Sequence, residues 1–308
     1  MKINIFLFHR VNPKESEFWA PMSPKQFERT LKYLKKRYKI VSLEETLKND
    51  SKGLTNTLPL AAVVFDDGYK DFLDFAYPIL KKMGIPSSMY IVVDSVNSGM
   101  PPWTYMFDYS FANTKVLSLN IDTDILPSHL KLTEWKSDKE RIAYGKALKP
   151  FLKKLSNRDR EGIFNQVIKD FNDIEFPEDL MLSWKEIKYL HNNGVTIGSH
   201  SVTHPLLGSI KKEEEIEHEL KTSFNIIEKE IGKPLSISYP IGSYNEVVKK
   251  IAQKVGYKYG LAVNHTIYDS NINDNYEIPR IDVYTENYYK SILRMSGILG
   301  KIKSILKK

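Results

Sequence analysis

Four short patches of this chain combine residue types and spacings that could do chemistry. The first is Asp66-Asp67-Gly68-Tyr69, directly after the apolar run Leu60-Ala61-Ala62-Val63-Val64-Phe65. Two adjacent carboxylates at the end of a buried strand are costly unless a cation sits between them or each has its own task. An ordinary turn or helix N-cap is the plainer reading of the same residues. The second is His200-Ser201-Val202-Thr203-His204. One helical turn would bring both imidazoles to one face, and two imidazoles with one carboxylate leave an open position on a divalent metal for activating water. Surface histidines also fall at that spacing by chance. The third is Ile237-Ser238-Tyr239-Pro240-Ile241-Gly242, where Pro240 and Gly242 would fix a tight turn. The backbone N–H of Ile241 is then a candidate oxyanion donor, against the alternative of a plain strand-ending turn. The fourth is His9, immediately after Leu7-Phe8. His129, His191, His218 and His265 lack comparable settings.

The elements around these patches predict where they meet. β-branched and aromatic runs alternate with helix-period segments, as in a parallel sheet with crossover helices. Strands are predicted at Ile3–Phe8, Lys39–Val41, Leu60–Phe65, Ser88–Val93, Val195–Ser199, Leu235–Tyr239, Tyr259–Val263 and Ile278–Val283. Helices are predicted at Pro24–Arg37, Phe72–Met83, Trp184–Asn192, Lys211–Glu230 and Asn245–Val255. This pattern predicts an α/β fold, a distorted (β/α) barrel of about seven or eight parallel strands. A doubly wound open sheet competes, but the glycine-rich dinucleotide fingerprint is missing. In a barrel His9, Asp66, Asp67, His200, His204 and Ile241 all follow strands and would gather on one rim, where such folds keep their active sites. Residues 1–286 are expected to form that barrel. A helical insertion is expected at about 98–183, since about a hundred residues there exceed a normal βα crossover. It opens with Pro101-Pro102-Trp103 and has helical periods near Leu130–Leu155 and Arg158–Phe171.

Composition narrows the function classes. The chain has 308 residues, 42% hydrophobic and 27% charged, ample for a sizeable core. With no cysteine, disulfides, thiolate zinc sites and Fe–S clusters are excluded, so any metal must be held by His, Asp or Glu. Of the net charge of +7, six positive charges lie after Asn287 (Lys290, Arg294, Lys301, Lys303, Lys307 and Lys308), leaving +1 for the body. With no helix-turn-helix, zinc-finger or RRM pattern, a nucleic-acid partner is not expected. Residues 287–308 read as a basic amphipathic helix, with Ile292, Met295, Leu299, Ile302 and Leu306 at helical spacing and Ile298 and Ile305 alongside. Such a helix can lie on an anionic membrane surface or pack on the barrel with a solvated basic face. The first residues are too short and polar-punctuated for a secretory segment, and no run approaches a membrane span. The expected location is cytoplasmic, at the inner face of the membrane if the terminal helix binds there.

The first two patches together resemble the signature of the NodB-type polysaccharide deacetylases, carbohydrate esterase family four. Val64-Phe65-Asp66-Asp67-Gly68-Tyr69 is similar to that family's first motif and His200-Ser201-Val202-Thr203-His204 to its second. The resemblance implies a distorted β/α barrel, Asp66 as catalytic base, and Asp67, His200 and His204 holding zinc or a similar divalent ion. It runs from His9 to about Val283, excluding the insertion. Two departures stand out. Ile237 and Ser238 occupy the places where the third motif usually carries an arginine that orients the base; Arg280 is the candidate to supply that charge. The usual late Leu-x-His is absent, and Leu7-Phe8-His9 resembles instead the permuted order of the poly-N-acetylglucosamine deacetylase branch, with His9 as general acid. The implied activity is metal-dependent removal of N-acetyl groups from an amino sugar, polymeric or lipid- or nucleotide-linked, in a cell-surface polysaccharide or glycolipid precursor. Tyr69 and Trp103 are candidates for a sugar-stacking wall or for plain packing. A catalytically silent carbohydrate-binding protein, or a hydrolase of a non-sugar amide, would keep the same barrel.

Overall fold

The computed structural model describes residues 1–14, 20–48, 58–285 and 288–296. Its main sheet is built from β1 (Lys2–Phe8), β2 (Lys39–Ile40), β3 (Leu60–Phe65) and β4 (Ser87–Ile91). After the insertion, which carries β5 (Ser118–Asn120) and β6 (Leu132–Glu134), it continues through β7 (Val195–Ser199), β8 (Ser236–Ser238) and β9 (Tyr259–Leu261). Two short strands, β10 (Tyr268–Asp269) and β11 (Ile281–Asp282), complete it. The path β1-β3-β4-β7-β8-β9 is parallel throughout. β11 pairs in parallel with the C-terminal half of β1, and β10 runs antiparallel to its start. The stretch before β11 also bridges β9 at Leu261↔Ile278, so residues 278–282 touch both edges and curl the sheet into a distorted barrel.

Strand alternation decides what faces inward. Ile3, Ile5 and Leu7 of β1 and Leu60, Ala62 and Val64 of β3 pack inside with Tyr90, Leu261 and Ile278. Phe6, Phe8, Ala61, Val63 and Phe65 face the other way, onto the surrounding helices. Because successive side chains alternate, His9, Asp66, Arg280 and Asp282 continue the inward rows beyond the last apolar residue of each strand. The helix Pro24–Arg37 shows how the outer layer is specified. Ser23 caps it by accepting from the Gln26 N–H, Pro24 opens it, and Phe27, Thr30, Leu31 and Leu34 form its buried face. The predicted helix Phe72–Met83 is instead a π turn over Phe72–Ala76 followed by an α-helix over Tyr77–Met83. Pro78 has no N–H to continue an α ladder, and the Tyr77 N–H reaches back to the Phe72 carbonyl. Strand ends are shorter than predicted; Val93, expected to end a strand, begins the helix Val93–Ser98.

The insertion is not purely helical. Helices Trp103–Asn113, Asp138–Leu152 and Asn157–Asp170 surround a two-stranded antiparallel ribbon of β5 and β6. Leu130 lies in a single 3₁₀ turn, and the helix predicted from there starts eight residues later, where Ser137 caps it. The insertion has its own core around Phe107, Phe111, Leu148, Leu152 and Val167. Gly145 permits the closest approach, since a Cβ there would lie 2.8 Å from the Phe111 ring. Of the expected C-terminal helix, Tyr288–Met295 is described; Met295 is buried in the barrel's outer core and Ile292 packs beside it. Ile298, Leu299, Ile302, Ile305 and Leu306 lie outside the described residues. Among the described residues no helix is long and apolar enough to cross a membrane.

Candidate active site

At the C-terminal ends of the parallel strands, three buried side chains converge. The Asp67 Oδ1 lies 3.4 Å from the His200 Nε2 and 3.5 Å from the His204 Nε2, and one ligand atom from each falls within 4.8 Å of the others. Donors bound at about 2.0–2.2 Å around a tetrahedral ion stand about 3.3–3.6 Å apart, so two of these separations suit one shared cation. The His200 Nδ1 is 2.7 Å from the Ser238 carbonyl oxygen. That acceptor keeps the proton on Nδ1 and leaves the Nε2 lone pair turned to the site. His204 has no matching anchor: among the described residues its buried Nδ1 has no partner.

The backbone is bent to make this possible. Asp67, Ser201, His204 and Ile241, all non-glycine, take positive φ of 78°, 66°, 60° and 58°. Left-handed residues cost of order 1 kcal/mol or more each and persist where surroundings hold them. Here Glu219 does much of the holding. Its Oε2 accepts from the Val202 and Thr203 N–H groups at 2.9 and 3.0 Å, and its Oε1 from the Thr203 hydroxyl at 2.7 Å. The Ser201 hydroxyl accepts from the His204 N–H at 3.2 Å.

Asp66 is held apart from the trio for a different task. The Arg280 Nη1 donates to its Oδ1 at 2.8 Å and the Ser238 hydroxyl to its Oδ2 at 3.0 Å. Arg280, wholly buried, also donates to the Ser238 Oγ and to the Ala262 carbonyl. Thus the guanidinium absent from the third-motif position comes from residue 280, and Ser238, in the vacated place, links it to the carboxylate. Burial pushes the Asp66 carboxyl up, but Arg280 and His200 outweigh it and hold the group below its ordinary value. Asp67 is likewise lowered, burial being overcome by His200, His204 and His9. Burial takes His204 down to about 3, which favours the neutral imidazole a metal needs, while Asp66 and Asp67 together raise His200 against its own burial.

The trio opens into a cleft of about 510 Å³, within the range of small-ligand sites. His9 and Asp282 face each other in it, with the His9 Nδ1 3.8 Å from the Asp282 Oδ1. Ile241 lines it as well. One wall is supplied by the insertion, through Thr104, Asp108, Lys146, Lys149, Pro150 and Lys153.

Two predicted residues are placed elsewhere. Tyr69 is fully buried with its ring against Arg10 and Tyr105, and Trp103 is buried in the insertion beside Phe164 and under Arg160. Neither lines the cleft, so both pack rather than form a sugar wall. The aromatic that borders the cleft with an exposed ring is Tyr284. Asp282 escaped the sequence reading although it lies two residues beyond Arg280 and therefore on the same strand face.

Comparison with known proteins agrees with this geometry. The family model described as polysaccharide deacetylase matches residues 55–260. A poly-beta-1,6-N-acetyl-D-glucosamine N-deacetylase of Staphylococcus aureus is 25% identical over 302 residues, covering 97% of this chain and 80% of that protein. Among solved structures, the Streptococcus pyogenes deacetylase PplD in complex with acetate superposes with a TM-score of 0.64 at 19% identity, over 96% of this chain and 98% of the other. A de-N-acetylase from Aggregatibacter actinomycetemcomitans gives 0.60 at 17% identity, over 96% and 100%. With two thirds of its length matched by that model, and its paired aspartates and histidines gathered at one barrel rim, the chain belongs to the polysaccharide deacetylase family.

Proposed function

We propose that this deacetylase hydrolyses N-acetyl groups of an amino sugar in a cell-surface polysaccharide or its precursor, with zinc held by Asp67, His200 and His204. The observation that carries the reading is one carboxylate, Asp66, fixed by Arg280 and Ser238 beside a separate Asp-His-His trio. A binding barrel has no need of that division. The nitrogen-rich donor set suits zinc, and its bound ion would polarise the acetyl carbonyl and acidify water. The name of the staphylococcal relative supports an N-acetylglucosamine chain as substrate.

Amide hydrolysis must add water to the acetyl carbon and expel an amine. Asp66, kept ionised by Arg280, accepts the water's proton as the new C–O bond forms. The Ile241 N–H, at a left-handed turn on the cleft wall, donates to the developing oxyanion. His9, turned by Asp282 so that its Nδ1 faces that carboxylate, delivers a proton to the sugar nitrogen as the C–N bond breaks. Acetate and a free amine result.

The test is acetate release from N-acetylglucosamine oligomers. Chelator should abolish it and added zinc restore it. Oligomer and zinc binding with no acetate release would instead mark a carbohydrate-binding barrel.

A further inference from the structure

The wall that the insertion gives the cleft has a chemistry that amide hydrolysis does not use. Lys146, Lys149 and Lys153 line it from the helix Asp138–Leu152 and its C-terminal cap. Positions i, i+3 and i+7 place them on one helix face. Lys149 is committed: it donates to the Asp108 Oδ2 at 2.6 Å and to the Thr104 carbonyl at 3.1 Å. Lys153 is not. No carboxylate among the described residues pairs with it, it is half-buried, and burial together with the Lys149 charge pulls its ammonium below the ordinary value. The helix C-terminus makes basic residues tolerable here, but a merely solvated lysine would not be desolvated against the cleft. The carboxylates that reach Lys153 are Asp108, Asp67 and Asp282. Asp108 is paired with Lys149. Asp67 belongs to the Asp-His-His trio and Asp282 faces His9, so neither forms an ion pair with Lys153 among the described residues. The second oxygen of Asp108, Oδ1, is buried on the same wall with no hydrogen-bond partner among the described residues, and suits a donated sugar hydroxyl.

We propose that Lys146 and Lys153 bind an anionic oxygen group, a phosphate or a carboxylate, carried by the N-acetylated sugar chain near the residue being deacetylated. The substrate is then an acidic glycan rather than a neutral homopolymer. A homopolymer becomes cationic as acetyl groups leave, and successive free amines would be repelled by this wall; an acidic chain would not. The inference rests on the deacetylase reading above.

The test uses the full chain loaded with zinc and carrying Asp66→Asn to stop turnover. Equilibrium binding is measured for three N-acetylglucosamine tetramers: neutral, phosphorylated and carboxylated. At least one charged tetramer should bind about tenfold tighter than the neutral one at low salt, and the preferred arm identifies the anion. That advantage should collapse in molar salt. It should also vanish in Lys146→Gln/Lys153→Gln, while neutral-tetramer affinity stays the same and reports an intact cleft. Equal binding of charged and neutral tetramers overturns the acidic-glycan inference alone. So does an advantage that survives the double substitution, since the anion would then sit on the metal. Binding of no tetramer overturns the amino-sugar reading and the inference with it.

Discussion

Replacing Arg280 by Met should raise the Asp66 carboxyl and weaken it as a base on the acidic side of the pH profile. The two side chains are almost wholly buried and 2.8 Å apart. Burial is the strongest influence on Asp66 and pushes its carboxyl up; Arg280 is the strongest influence opposing it. A nearby opposite charge is worth about 1–3 pKa units to a buried carboxyl. Its removal therefore moves the acidic limb of the kcat/KM–pH profile upward by about 1–3 units. The stability sign also reverses. In the native protein the folded-state value lies below the ordinary 3.8, so the ionised pair contributes stability above pH 3.8 that is lost as pH falls through the folded value. In Arg280→Met the folded value lies above 3.8. A penalty then develops as pH rises from 3.8 to the new value and stays constant beyond it, at about 1.4 kcal/mol for each unit by which the new value exceeds 3.8. Acetate release with saturating zinc from pH 3 to 9 gives the first readout, and urea unfolding of both proteins at pH 4 and pH 8 gives the second. Arg280→Lys keeps a charge but not the fork that reaches Asp66, Ser238 and the Ala262 carbonyl together, so its limb should fall between. A folded Arg280→Met protein with an unmoved acidic limb would refute control of the base by Arg280.

Other substitutions separate the remaining parts. Asp66→Asn should abolish acetate release with zinc content near one per chain, whereas His200→Ala should lose both by metal analysis and activity assay; full turnover in the first would remove Asp66 as base. Glu219→Ala should leave the buried Val202 N–H unsatisfied and free the part-buried Thr203 N–H, costing about 1–3 kcal/mol in denaturant unfolding, and loosen the loop that carries His204. Zinc competition should show affinity about tenfold weaker or worse, with Glu219→Gln restoring most of it; unchanged zinc affinity in the alanine variant would make Glu219 a purely structural clamp.

The barrel and its Asp67-His200-His204 trio were legible because strand periodicity and polar punctuation report the same boundary. Each apolar run stops where its inward row would next present His9, Asp66 or His200. Arg280 was legible for a different reason: the resemblance implies an arginine orienting Asp66, its usual place holds Ile237 and Ser238, and the late strand offers another. For Tyr69 and Trp103 the sequence leaves a sugar wall and plain packing both open, because an aromatic residue near a motif does not reveal which way its ring turns. Tyr69 follows a glycine at φ +85°, and the chain carries its ring toward Arg10 instead of the cleft. Ser238 was invisible as a contributor because a serine in an apolar strand reads as filler until its hydroxyl is seen spanning Arg280 and Asp66.

The insertion was the least legible part, and the cause lies in how it is built. Its lysines at i, i+3 and i+7 have the spacing of any solvated helix face; only docking turns that face into a wall. The insertion has a core cluster of its own, which Leu206 and Ile241 of the barrel's loops join; Met181 bridges Tyr69, and the Asn157 side chain accepts from the Leu206 N–H. A module with its own core can change its cleft-facing residues without disturbing the inward rows that set Asp66, Asp67 and His200. The reacting groups are therefore fixed by strand geometry that tolerates little change, while the insertion wall, where Lys146 and Lys153 stand, is free to follow the charge of the glycan.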